Sequence, residues 1–322
     1  MTRPASRHAP RRQRGVAIVT ALLVVMLAAG IAVYLLAQQS QALTRTARST
    51  ARAQLSLYVR PTLDWSRAML SASLKKNPAH VWPTDDWATN IAAQPIEGAL
   101  ASGYLTDEQA KFNLNNLIDS NGKKSQPDWE LFGRLLDKLG LDKNLANAVL
   151  DWIDADDETS NPGGAENLGY FSQSPPARAA NKPLVQIEEL LRVRGFNADI
   201  LKKLSPYVTA LPVNGTKINV NTAPPKLLQA LFAPALDDQQ VNELVRVRDA
   251  GLYFTDVESI KKYAAAPIPV DKVDRFLDVK GDFFTATLAI TGDGAQVREQ
   301  ALLQRLPLLP AEWPRIIWVK DY

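Results

Sequence analysis

From Val16 to Ala37 the chain reads VAIVTALLVVMLAAGIAVYLLA, 22 residues without a charged side chain. As an α-helix that run is about 33 Å long, against roughly 30 Å for the hydrocarbon core of a bilayer. It predicts one membrane-spanning helix. Arg3, Arg7, Arg11, Arg12 and Arg14 precede the run and the next charge is Arg45, so the bias of positive charge puts the amino terminus on the cytoplasmic side. A secretory signal cleaved near Ala28-Ala29-Gly30 is the alternative, although the apolar core of such a signal spans only about 7–15 residues. Helical texture also continues past the run, with Leu55, Tyr58, Trp65, Met69 and Leu70 at near-helical spacing. Pro61 has no N–H to bond residue 57, which predicts a kink in one long helix over 16–76.

Composition removes several kinds of chemistry. The chain has no cysteine, which excludes disulfides, thiolate metal sites and thiol nucleophiles. Its only histidines are His8 and His80, so a histidine metal cluster is excluded and a Ser-His-Asp triad has at most one candidate base. The net charge of +3 becomes −2 once the five leading arginines are set aside. The remainder is not a polycation, and no nucleic-acid partner is expected.

Beyond residue 77 prolines mark loops, and Ile96 to Leu114 predicts a strand pair turning at Asp107-Glu108-Gln109. At the other end Phe283 to Thr291 alternates apolar and polar residues, with Ala301 to Leu306 and Ile316 to Val319 as further strands. The intervening 114–278 is helical in texture, with apolar periodicity over 129–136, 146–153, 187–193, 226–231 and 241–247. Strand ends around a helical middle predict an α+β fold: a small antiparallel sheet interrupted by a large α-helical insert.

Arg14-Gly15 followed by Val16-Ala-Ile-Val-Thr20 resembles the class III leader that prepilin peptidase cuts after the glycine. In pilins and pseudopilins of this kind the fifth mature residue is usually glutamate, and here it is Thr20. Among them the K-class minor pseudopilins of type II secretion typically lack that glutamate. Lys111-Phe-Asn-Leu-Asn115, Asp151-Trp-Ile-Asp-Ala-Asp156, Gly164-Ala-Glu-Asn167, Arg178-Ala-Ala-Asn181 and Ile218-Asn-Val-Asn-Thr222 follow in that family's order. The resemblance thus covers essentially the whole chain. It implies a leader over 1–15 removed between Gly15 and Val16, a methylated Val16, a transmembrane helix over 16–37 and its extension over 38–76. It further implies a pilin-like α+β domain split between 77–113 and 279–322, with an insert over 114–278 whose two parts lie at about 114–212 and 213–278. The implied protein is not an enzyme. It is a single-pass inner-membrane protein with a periplasmic domain, capping the tip of the pseudopilus and helping initiate its assembly. Its implied partners are the I-class and J-class minor pseudopilins, prepilin peptidase and exoprotein substrate.

Asp151, Asp154, Asp156, Asp157 and Glu158, followed by Asn161-Pro-Gly-Gly-Ala-Glu166-Asn167, form an acidic, glycine-containing loop. By its residues alone it is either a solvated acidic loop or a set of oxygen ligands for a hard cation such as Ca²⁺. An EF-hand is excluded, because counting from Asp154 the sixth position is Thr159 and the twelfth is Ala165. The resemblance favours Ca²⁺, on Asp154, Asp156, Glu166 and Asn167, with Asp157 and Glu158 as further candidates.

The segment from Ile218 to Val257 resembles the helix-hairpin-helix of competence DNA-binding proteins, which gives a membrane-anchored DNA receptor as the alternative function. Its hairpin, Phe232 to Asp238, has no glycine and two acids, the wrong chemistry for holding a phosphate through backbone amides. Asn219 or Asn221 with Thr222 are instead expected to cap a helix. A secreted hydrolase using Glu188 and Glu189 is the remaining alternative, but adjacent helical residues diverge by about 100°.

Overall fold

The computed structural model describes residues 14–172, 174–263, 274–306 and 313–322. Two helices, α1 (Arg14–Ser56) and α2 (Val59–Lys76), make the amino-terminal rod. The break between them falls at Leu57-Tyr58, one turn before Pro61. There the N–H groups of Leu57 and Tyr58 bond three residues back, to Gln54 and Leu55, at 3.1 and 3.0 Å. Thr62 restores the helix by donating both its N–H and its hydroxyl to the Tyr58 carbonyl, at 3.2 and 2.8 Å. Residues 16–50 are exposed throughout. From Ala51 onward, Leu55, Val59, Leu63, Leu70 and Leu74 bury one helical stripe.

That stripe packs on a five-stranded antiparallel sheet, β1 (Ile91–Ile96), β2 (Ala99–Asp107), β3 (Phe283–Gly292), β4 (Ala295–Gln304) and β5 (Arg315–Asp321), with strands adjacent in chain order. Leu63 and Leu70 of α2 meet Leu105, Phe284, Ala286, Leu288, Ala301 and Leu303 in one cluster. Leu302 and Phe283 point to the opposite face, where Leu211 of the insert covers them. The first hairpin differs from the sequence expectation. It turns at Glu97-Gly98, where two consecutive positive φ values, 37° and 90°, give the backbone twist that antiparallel strands require. Asp107-Glu108-Gln109 instead ends β2, because the Asp107 carboxylate accepts the Gln109 N–H at 2.9 Å and starts a short 3₁₀ turn.

The insert leaves after Asp107 and returns at Phe283, and Asp107 stands opposite Phe284 in the β2–β3 ladder. Its two ends are therefore already neighbours, so closing so long an excursion adds little strain to the sheet. Within it lie α3 (Gln126–Lys138), α4 (Leu145–Ile153), α5 (Asn167–Phe171), α6 (Ala198–Leu204), α7 (Pro225–Phe232), α8 (Asp238–Asp249) and α9 (Val257–Tyr263). Two short parallel bridges close it in two stages: Phe112-Asn113 with Val208-Thr209, and Ile218-Asn219 with Leu277-Asp278. Both stages share one continuous apolar core, which runs from Phe112 to Val279 and includes Leu131, Leu135, Leu227 and Leu231. Residues 187–192, expected as helix, form a 3₁₀ turn. Glu189 bonds the N–H groups of Val185 and Gln186, at 2.8 and 3.0 Å, while Glu188 pairs with Lys320 at 2.7 Å. Both carboxylates are thereby used in holding the turn and in tying it to β5.

Asparagine amides stand in for missing backbone partners. Asn115 accepts the Leu184 N–H at 2.8 Å and donates to the carbonyls of Leu184 and Leu211 at 2.9 and 2.8 Å. Asn113 accepts from Leu211 at 3.0 Å and donates to Val213 at 2.7 Å. Neither Asn219, Asn221 nor Thr222 caps α7, contrary to expectation. Asn219 donates to Val81 and Asp107 at 3.1 and 2.8 Å, Thr222 to Asp107 at 2.7 Å, and Asn221 exchanges two bonds with the backbone of Phe254. The N-cap position of α7 is Pro224, which has no side-chain acceptor, and the three polar residues lie two to five positions before it. Replacing Asn115 with alanine strands three buried backbone groups, so chemical denaturation should show a loss of about 2–4 kcal/mol with the fold retained.

Candidate metal centre

Helix α4 carries the acidic loop at its carboxyl end. Asp154 leaves the helix with an extended backbone, its N–H still bonded to Leu150 at 2.9 Å. Asp151, one turn earlier and fully buried, turns the chain back by accepting the Ser160 N–H at 3.0 Å. Gly164 then passes so close that a Cβ there would collide with the Asp151 carboxylate and the Ser160 carbonyl. This close return brings Glu166 back to the helix end.

The outcome is a group formed by Asp154, Asp156 and Glu166, whose ligand atoms all lie within 4.8 Å of one another. Asp154 and Glu166 are only 7% and 4% exposed. Both Glu166 oxygens, Asp154 Oδ1, Asn167 Oδ1 and Asn181 Oδ1 are buried without a hydrogen-bond donor among the described residues. A set of unsatisfied buried oxygens, free of nitrogen and sulfur, is the donor chemistry of a hard cation. Burial raises the Glu166 carboxyl to about 7, helped by the charges of Asp151, Asp154, Asp157 and Asp156. Asp154 is likewise raised to about 7, by burial and then by Asp156 and Asp151. The cluster thus keeps protons that isolated carboxylates would have lost.

The remaining residues singled out in the sequence fall around this group. Asn167 donates to Asp157 Oδ1 at 2.7 Å, which leaves its own Oδ1 free and places Asp157 one step outside. Glu158 is exposed and offers only its backbone N–H, to Asp156 at 2.8 Å. Asn181 was not among the expected ligands, yet it donates to the Asp156 carbonyl at 3.2 Å and keeps a buried, unsatisfied Oδ1. Its left-handed backbone, φ 46°, fits the asparagine of Arg178-Ala-Ala-Asn181, but no ligand spacing in the sequence points to it.

The other marked positions lie at the start of α1 and in the insert. Gly15 falls in its first turn, and Thr20 donates its hydroxyl to the carbonyls of Val16 and Ala17 at 3.1 and 3.0 Å. Residues 1–13 of the expected leader lie outside the described residues. In the helix-hairpin-helix segment, α7 and α8 are joined by a turn in which Asp237 caps α8 by accepting the Gln240 N–H at 2.8 Å. His80 stacks on Trp82 with centroids 3.6 Å apart.

The raised carboxyls set a pH dependence. Their folded values stand above the unfolded ones, so the stability they preserve is present below about pH 4 and lost as pH rises through about 7. In chelator at pH 8, Glu166→Gln should therefore raise the melting temperature over the parent chain. At pH 4 the two should melt together.

The family description "Type II secretion system (T2SS), protein K" matches residues 110–213 and again 218–279. Those two stretches coincide closely with the segments closed by the two parallel bridges. Among relatives, the type II secretion system protein K of Pectobacterium carotovorum subsp. carotovorum is 30% identical over 91% of this chain and 92% of its own length. The protein K of Aeromonas hydrophila is 28% identical over 92% and 94%. In three dimensions the chain is similar to a chain in the GspK-GspI-GspJ complex of enterotoxigenic Escherichia coli, with a TM-score of 0.74 and 26% identity, covering 86% of this chain and 99% of that one. One helix among the described residues long and apolar enough to cross a membrane, a mixed fold with a helical insert, and matched stretches spanning that insert place the chain in the type II secretion system protein K family, the K-class minor pseudopilins.

Proposed function

We propose that the chain caps the tip of the periplasmic pseudopilus as a non-enzymatic assembly subunit, beside I-class and J-class minor pseudopilins. The likeness to a chain of the GspK-GspI-GspJ complex over 99% of that chain carries this reading. The rod supports it. Residues 16–50 are exposed throughout, and the apolar side chains among them, such as Ile18, Leu22, Val25 and Leu36, need burial either in lipid or among neighbouring helices. Thr20 satisfies its hydroxyl within its own helix, so unlike a carboxylate it needs no partner amine at membrane depth. The five arginines before the span favour a cytoplasmic amino terminus, with the sheet and insert in the periplasm. In this reading prepilin peptidase cuts after Gly15 and Val16 becomes the methylated first residue. The insert, placed at one end of the sheet, presents the surface available to exoprotein.

The same reading gives Ca²⁺ a structural place. Asp154, Asp156 and Glu166 would hold it, with the free Oδ1 atoms of Asn167 and Asn181 as neutral ligands, and the ion would supply the positive charge that these buried carboxylates lack. Ca²⁺ at pH 7.5 should raise the melting temperature of the parent chain, EGTA should reverse the rise, and Glu166→Gln should abolish most of it. A melting curve indifferent to EGTA would remove the ion from the proposal.

Sequencing the amino terminus of the chain from a secreting bacterium should give N-methylated Val16. Met1 would exclude processing, and a start near residue 31 would exclude the anchor. Co-expression with I-class and J-class minor pseudopilins should yield a stable ternary complex on affinity purification and size exclusion. Recovery of this chain without them would contradict the capping role.

A further inference from the structure

The first acidic residue in the chain is Asp64, and nine arginines precede it. Five belong to the segment before the span. Of the others, Arg45, Arg48 and Arg52 stand exposed on α1 just beyond the apolar run. Spacings of three and four residues bring them onto one side of the helix. Among the described residues none of the three side chains has a hydrogen bond or an ion pair. The acids that share grooves with Arg48 and Arg52, namely Asp293, Glu299 and Asp321, form no ion pair with them. Arg48 and Arg52 line one wall of an open groove whose other wall carries Glu299 and Asp321. Those two carboxylates stand directly opposite each other across β4 and β5, and no bond crosses the groove.

We propose that Arg45 binds the phosphates of anionic phospholipids at the membrane surface while the rod is lodged in the bilayer, with Arg48 and Arg52 adding attraction behind it. Arg45 lies eight residues beyond Ala37, about 12 Å further along the helix. The headgroup zone extends roughly 5–7 Å past the hydrocarbon on each side. The long side chain of Arg45, folding its charged end back toward the surface, closes that gap, while Arg48 and Arg52, about 4.5 and 10.5 Å further along the helix, add attraction over a screening length of about 10 Å. The planar guanidinium fork suits a phosphodiester, whose two free oxygens it can bond together. The alternative counterion, a carboxylate of the chain's own rod, does not exist before Asp64. The stripe would then fix how deeply the rod sits. Leaving the bilayer for a fibre would exchange lipid phosphates for other anions. The inference needs only the membrane span and holds for either orientation, so its outcome is independent of the capping role.

The test uses the full chain reconstituted in phosphatidylcholine vesicles containing trace spin-labelled phosphatidylglycerol or phosphatidylcholine, in a background where Arg3, Arg7, Arg11, Arg12 and Arg14 are glutamine. The motion-restricted fraction measures lipid selectivity. With the stripe intact, phosphatidylglycerol should be favoured roughly fivefold, and 1 M salt, where the screening length falls to about 3 Å, should erase most of that preference. The variant R45Q/R48Q/R52Q should lose it, while R45K/R48K/R52K should keep at least half. Circular dichroism in the same vesicles checks that each variant retains its helix. Equal selectivity with and without the three arginines, in folded chains, overturns the inference. So does a preference that survives 1 M salt.

Discussion

One carboxylate joins the two parts of the head. Asp107 ends β2, starts the turn into the insert through Gln109, and receives Asn219 and Thr222 from the beginning of the second bridge. It is buried, and despite those three donors burial raises its carboxyl to about 6. Arg305, itself 3% exposed, lies close enough to oppose that rise. The sheet and the insert therefore meet through a polar joint as well as through the apolar contact of Leu211 with Phe283 and Leu302. This explains why asparagines in the two Asn-rich segments are so thoroughly engaged. Each replaces a peptide group that regular structure would have supplied.

The rod was the most legible part of the sequence, because absence of charge over 22 residues is a property of one continuous segment. The closing strands were legible for a similar reason, as Phe283 to Thr291 shows its alternation without reference to anything distant. What was misplaced depended on partners elsewhere in the chain. Glu97-Gly98 has the glycine of a two-residue hairpin but lacks the Asn or Asp that usually precedes it, and Asp107-Glu108-Gln109 resembles a turn because it is one, at the end of a strand rather than between two. Asn219 and Asn221 read as helix caps when seen beside α7. Their true partners, Asp107 and Phe254, lie 112 and 33 residues away.

The acidic cluster shows the same division. Asp154, Asp156 and Glu166 were visible as closely spaced acids, and a short loop pinned by Asp151 and Gly164 brings them together. Asn181 could not be found that way, since it reaches the cluster across 25 residues of chain by donating to the Asp156 carbonyl. The chemistry of such a loop rests on like charges confined together. Each carboxylate there raises the proton affinity of the others, so the charge of the loop changes with pH close to neutrality.

Helix α1 and the insert meet opposite ends of the same two strands, and α2 packs along the length between them. Leu55 of α1 packs with Ala99, Ala101 and Ile290 at one end, whereas the insert departs from Asp107 and returns beside Phe284 at the other. A pull between the stalk and the head is then directed along β2 and β3, parallel to both. Under such a load the rungs of the ladder share the tension and must yield together, instead of opening one after another as they would if peeled from an edge. The small sheet is thus oriented as a mechanical coupling between α1 and the insert, loaded along its strands rather than across them.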